Sequence, residues 1–220
     1  MPRSASAPRR PQQARSRDTE ERIVRAVTEL LDERPLDELS VAEIAARAGV
    51  SVGGFYARFA GKEEVLLRIS YESYVAKSLA DAARVLAPER WEGAGLAPIV
   101  EAYCRMMIDS AREHMPVVRE LVTRSRNDPT AMFSIAAYDR FSEGVHEPFR
   151  RLVRARFGEV RHPDPERALR IGFFLVASAL REAVFSPHMR PALGEVGEDE
   201  LVTELTRLFC GYLGASLDGV

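Results

Sequence analysis

The chain has 220 residues, 46% of them apolar, and 31 basic and 33 acidic side chains leave a net charge of −2. That is enough apolar material for one large or two small packed domains. No apolar run reaches the roughly 18 residues of a membrane span, and nothing apolar follows Met1-Pro-Arg-Ser as in a secretory signal. No membrane partner and a cytoplasmic location are therefore expected.

Residues 1–17 carry Arg3, Arg9, Arg10, Arg15 and Arg17, no acid, and three prolines, which predicts a disordered basic arm. Such an arm is either a solubilising leader or a tracker of DNA phosphates. Residues 1–62 hold an excess of two basic side chains, and the remainder an excess of four acids. Helix one is predicted over 19–34, with Ile23, Ala26, Val27, Leu30 and Leu31 on one face and Pro35 ending it. Ser40 and Glu43 have the spacing of a capping box that starts a second helix at Val41. Val41, Ile44, Ala45 and Ala48 give this helix one apolar stripe. Gly49 suits its end, and Ser51 caps a third. Two short helices across a tight turn predict a helix-turn-helix, which sets its second helix in a DNA major groove.

A long fourth helix is predicted from Lys62 to Leu86, shared as a rigid rod by two domains, with Pro88 and Gly93–Gly95 closing it. Helix five, 96–112, is apolar on two faces. Helix six begins around Pro116 and helix seven around Pro129, the latter running to 157 with a kink or break at Pro148. Helix eight starts at Pro165, and helix nine covers 198–217. Residues 171–180 are apolar nearly all round and must be buried on more than one side.

The order Ile44-Ala45-x-x-Ala48-Gly49-Val50-Ser51, Gly53-x-Phe55-Tyr56-x-x-Phe59, Lys62-Glu63-x-x-Leu66 resembles the signature of the TetR/AcrR family of bacterial transcriptional regulators. The resemblance covers residues 18–68. It implies an all-α fold of about nine helices: a helix-turn-helix DNA-binding domain over 18–66, then an effector-binding and dimerisation domain over 67–220. It implies a homodimer on a double-stranded DNA operator, acting as a repressor released by a small, largely apolar effector. The same fold without ligand control, or an activator, is the alternative.

Carried over position by position, the resemblance places Tyr56 and Lys62 on DNA phosphates. Ser40 joins them through its hydroxyl or its helix N-terminus. Arg58 stands where histidine or tyrosine is commoner, and takes a phosphate or a guanine edge. Ser51, Val52, Gly53, Gly54 and Ala57 complete the expected DNA face. Gly54 departs from the family's threonine, alanine or serine, either as tolerated drift or to bring the backbone close to DNA. Val52 and Ala57 offer only apolar contacts, which leaves specificity to Arg58, the arm and DNA shape. Phe55 and Phe59 are assigned to the core.

In the C-terminal domain, Tyr74, Tyr103, Met106, Met107, Met132, Phe133 and Phe173 are candidate walls of an effector pocket, or plain core. Gly172, Leu175, Ala179, Leu205, Leu208, Phe209 and Tyr212 are candidates for a dimer interface, or an intramolecular core. Cys104 and Cys210 read as buried free thiols. Four histidines without ligand spacing and no nucleophile–base pair predict no metal, no cofactor and no catalytic site.

Overall fold

Ten α-helices and no strand occur among the residues that the computed structural model describes, 10–127, 139–185 and 194–217. The chain divides into two units, one ending at Ser70 and one beginning at Tyr71.

The first unit holds α1 (Arg10–Glu33), α2 (Val41–Ala48), α3 (Val52–Tyr56) and α4 (Lys62–Ile69). Helix α1 begins earlier than its apolar stripe. The stretch expected as a disordered arm is helical from Arg10 onward, because Pro11 fits a first turn and Gln12–Arg17 contain no breaker. The α1 stripe of Ile23, Ala26, Val27, Leu30 and Leu31 is buried against α2 and α4. Phe55 and Phe59 close the core, with ring centroids 6.0 Å apart. Each large side chain buried this way contributes about 2 kcal/mol.

The second unit is built around α6 (Leu96–Glu113), which buries ten side chains. Against it pack α5 (Ala76–Val85), α7 (Met115–Asn127), α8 (Glu147–Arg154), α9 (Pro165–Phe185) and α10 (Glu198–Leu213). The predicted rod from Lys62 to Leu86 is not one α-helix: a π-helical turn, Ser70–Val75, separates α4 from α5. At its start the Ser70 hydroxyl donates to the Leu67 carbonyl at 2.8 Å, a side chain competing for the helical ladder.

A second π-helical turn, Ser142–His146, precedes α8. Pro148 has no N–H to donate, and the Glu147 N–H reaches five residues back to the Ser142 carbonyl. Of the predicted helix seven, the part before Asp139 lies outside the described residues. Gly144 in this turn lets α5 approach closely: a Cβ there would fall 2.1 Å from Leu79 Cδ2. The last helix stops at Leu213, short of 217, because Gly214 takes φ +67° and ends it.

Arg156 braces the turn before α6. Its Nε donates to the Ala94 carbonyl at 2.8 Å and Nη1 to Leu152 at 3.0 Å, while Nη2 meets the Trp91 carbonyl. Among the described residues, no helix is long and apolar enough to cross a membrane.

Candidate nucleic-acid interface

The helix-turn-helix is fixed by two caps and one glycine. The Glu43 N–H donates to Ser40 Oγ at 3.2 Å, and the Ser40 N–H donates to Glu43 Oε2 at 2.9 Å. These are both halves of a capping box. The Ser40 hydroxyl also donates to Glu43 Oε2 at 2.8 Å. Arg34 donates to the same carboxylate at 2.8 Å. That bond, with the Ser40 donors, holds the Glu43 carboxyl down at about 2. Gly49 ends α2 at φ +65°, a conformation a β-carbon disfavours. The Gly54 N–H donates to Ser51 Oγ at 3.0 Å, which starts α3.

Helix α3 has only five residues, and its burial divides by face. Phe55 is fully buried, whereas Val52 is 44% and Tyr56 56% exposed. Val52 and Tyr56 share one row at helical spacing, and the exposed Gly53 and Ala57 form the row beside it. The result is a short face with one phenol and otherwise small or apolar groups. The Tyr56 ring meets Phe55 edge-on at 5.5 Å.

Among the residues expected on DNA, the polar ones are largely occupied at home. Ser40 is held in its capping box, and Ser51 accepts from Gly54. Arg58 Nη1 donates to the Gly54 carbonyl at 3.0 Å, closing the C-terminal end of α3. Lys62 Nζ donates to the Leu36, Asp37 and Leu39 carbonyls at 2.7, 3.1 and 2.9 Å.

In the second unit an aromatic cluster unites part of the expected pocket. Tyr103 stacks on Phe149 at 4.1 Å, and Tyr74 stacks on Phe141 at 5.7 Å. Phe173 lies 6.3 Å from Tyr103, and Arg150 sits 4.2 Å over the Phe173 ring. His146 stands 5.0 Å from both Phe141 and Phe173, with Nδ1 2.9 Å from the Tyr103 hydroxyl. Burial, then the Arg150 charge, pushes its imidazole down to about 4, so it is neutral at pH 7. Burial pushes the Tyr74 phenol up to about 12.

Phe141, His146, Phe149 and Arg150 were not expected in this cluster. Pro148, whose missing N–H marks an irregular turn, was the available signal. Met106 lies elsewhere, lining a charged groove of about 500 Å³ with Asp81, Arg105 and Asp109. Met107 is half-buried at the edge of the core, and Met132 and Phe133 lie outside the described residues.

The expected dimer residues fall into two groups. Gly172, Leu205 and Phe209 are spent inside the chain: a Cβ on Gly172 would meet Phe209 and Leu213 at 3.2 Å. Leu175 and Leu208 face solvent at 40% and 47%, and Phe174 is 67% exposed. Ala179 and Tyr212 are half-buried. The thiols of Cys104 and Cys210 are buried, and burial pushes them up to about 12 and about 11.

Residues 23–69 match the family of bacterial regulatory proteins designated tetR. No curated protein matches the chain. Among solved structures, FadR of Thermus thermophilus, a TetR-family transcriptional repressor in complex with lauroyl-CoA, is 23% identical. The match covers 91% of this chain and 98% of that one, with a TM-score of 0.56. A TetR-family transcriptional regulator from Streptomyces coelicolor is 20% identical over 89% of this chain and 80% of its own, with a TM-score of 0.55. HlyIIR, a hemolysin II transcriptional regulator, is 16% identical over 87% of this chain and 98% of its own, at 0.54. At these identities the likeness establishes the fold. Residues 23–69 thus carry the tetR-family helix-turn-helix, the DNA-binding part, on a chain with the fold of TetR-family regulators.

Proposed function

We propose that the protein is a dimeric repressor that binds a near-palindromic operator and is released by a small, largely apolar effector, in the cytoplasm of a bacterium. The observation that carries the DNA part is the division of α3: Phe55 is buried while Val52 and Tyr56 of the same five-residue helix stand exposed. Val52, Gly53, Tyr56 and Ala57 then enter the major groove. Gly54, Ser51 and Arg58 sit at its edges, and Ser40 borders the phosphates. Dimerisation is supported by the exposed Phe174 and Leu175 on α9 and Leu208 on α10.

The effector reading is supported by the aromatic cluster around Tyr103, Tyr74 and Phe173, where a neutral His146 and the Arg150 cation supply polar handles inside an apolar wall. The Thermus thermophilus relative was solved with an acyl-CoA, which favours apolar acids as first candidates.

Selection of duplexes from a random pool tests the reading. An inverted repeat with half-sites about one helical turn apart is expected. Recovery of no preferred sequence would overturn operator binding. An apolar acid that stabilises the protein must also lose affinity for it, by one common factor, when operator is present. Equal affinity with and without operator would overturn control by that ligand.

A further inference from the structure

We infer that the effector carries a carboxylate, held between the Arg150 guanidinium and Nε2 of His146, and that its binding brings one proton from solvent onto His146. Resting on the effector reading, this assignment adds to it the charge of the ligand and a dependence on pH.

His146 ends the π-helical turn and Arg150 lies four residues on, in α8. Both meet the same ring: Phe173 is 5.0 Å from the imidazole and 4.2 Å from the guanidinium. One small anion can therefore reach both. Each also has donors unspent. Tyr103 is 1% exposed, and its hydroxyl finds no acceptor among the described residues other than Nδ1 of His146, 2.9 Å away. It donates there, which leaves the hydrogen of the neutral ring on Nε2. That N–H makes no hydrogen bond among the described residues, and neither does the Arg150 guanidinium. The nearest acid to Arg150, Glu147, stands 3.7 Å away and accepts from Arg154 at 2.9 Å instead. His146 is half-buried and Arg150 keeps 29% of its side chain exposed, so both can be reached from solvent. Tyr103, Phe149 and Phe173 offer the apolar tail of the acid a wall of rings.

Charge decides the proton. Burial and the Arg150 cation keep His146 neutral in the free protein. Among the described residues no carboxylate opposes them. Glu147 of α8 and Glu166 of α9 bond Arg154, and Glu143 of the same turn is exposed. On α5, Lys77 and Asp81 pair with each other at 2.9 Å, while α6 presents the Tyr103 hydroxyl. A bound carboxylate supplies the missing negative charge, offsets Arg150 and accepts from Nε2. The imidazolium becomes the favoured form, with Nδ1 now donating to the Tyr103 oxygen. Acid and proton then bind reciprocally, so a given concentration of the acid fills the site further as pH falls.

The test titrates decanoate and decanol calorimetrically into the full chain at pH 6 and pH 8, a range in which decanoate stays ionised. Decanoate is expected to bind several-fold tighter at pH 6, with a heat there that changes with the ionisation heat of the buffer. Decanol should bind more weakly and equally at both. His146→Gln keeps an amide N–H for the ligand and is expected to bind decanoate with one affinity at both pH values. Arg150→Gln should lose the preference for acid over alcohol. Equal affinity of the parent for decanoate at both pH values, or a heat indifferent to buffer, overturns the proton uptake. These two readouts need no variant to fold. A pH dependence that His146→Gln retains assigns the proton to another group and overturns it equally. Decanol binding as tightly as decanoate overturns the anion site and leaves the effector reading standing. If neither probe binds at either pH, the anion site falls together with the effector reading.

Discussion

The Tyr103 hydroxyl and Nδ1 of His146 lie 2.9 Å apart, a polar pair in a cluster of aromatic rings that the Arg150 guanidinium joins over Phe173. Tyr103 is 1% exposed and comes from the middle of α6, while His146 closes the π-helical turn ahead of α8. The π-helical turn that precedes Pro148 thus ends in a polar group set against the core. A buried hydroxyl without a partner would be costly, so each residue explains the other's place.

The pair makes stability pH-dependent. His146 is held at about 4, below its ordinary 6.5, first by burial and then by Arg150. The unfolded chain takes up this proton first, so the stability is present above 6.5 and is lost as pH falls from there through about 4. Urea unfolding at pH 7 and pH 5 is expected to show a loss on the order of 2 kcal/mol from this residue. His146→Asn should remove that part of the loss. An unchanged difference between the two pH values would show that His146 is not held neutral.

The glycines of α3 should respond in opposite ways. A Cβ on Gly53 meets nothing within 4 Å, while one on Gly54 would sit 3.1 Å from Ser51 Oγ, the cap of the helix. Gly53→Ala is therefore expected to stabilise the free protein by up to about 1 kcal/mol, the usual helical difference between the two residues. Gly54→Ala should give less, because the cap must shift. On DNA the order reverses for Gly53, since its methyl would stand on the face proposed to enter the groove. A Gly53→Ala variant that melts higher and binds its selected duplex unchanged would remove Gly53 from that face.

Much of the first unit was legible in the sequence, because each signal there is local. Ser40 and Glu43 are three residues apart, Gly49 ends its own helix, and the stripe Ile23 to Leu31 needs only helical spacing. The hydrogen bonds that Lys62 and Arg58 make to backbone carbonyls were not legible. The carbonyls that hold Lys62 lie 23 to 26 residues away, and backbone carbonyls carry no sequence signature. In the second unit, the apolar face of α9 and the stripe of α10 were visible as patterns. Nothing in the pattern says which members meet each other within the chain. Gly172 and Leu175 are three residues apart, yet one lies under Phe209 and the other faces solvent. The predicted rod failed where a seryl hydroxyl, Ser70, takes a helical carbonyl.

Acid should weaken the first unit through the capping box. The Glu43 carboxyl lies at about 2, below its ordinary 4.5, chiefly through the Arg34 hydrogen bond and then the Ser40 donors. A carboxyl depressed on folding contributes stability that is present above 4.5 and is lost as pH falls toward 2. Glu43→Gln is expected to flatten acid unfolding of the helix-turn-helix in that window. Because the pair is exposed, added salt should shrink the effect. Parent and variant curves that stay parallel from pH 5 to pH 2 would show that Glu43 titrates as it does in the unfolded chain.

The proposed dimer surface separates two kinds of variant on α9 and α10. Phe174, Leu175 and Leu208 are exposed, so a charge there removes nothing from the core of the single chain. Their apolar area is recovered only if a second copy covers it, which gives the proposed dimer its driving force. The double variant Phe174→Glu, Leu208→Glu is thus expected to elute as a folded monomer in light-scattering chromatography. Its helical content should match the parent, and its affinity for an inverted repeat should collapse to that of a half-site. Gly172→Val should behave differently. Its Cβ would press on Phe209 and Leu213 at 3.2 Å, and the added methyls overpack the α9–α10 seam at a cost of about 1–3 kcal/mol. That variant should melt low at every protein concentration, whereas the parent's melting point should rise with concentration as its dimer forms. A double variant that remains dimeric at micromolar concentration would sink the α9–α10 interface, and the exposed Phe174 would then need another partner.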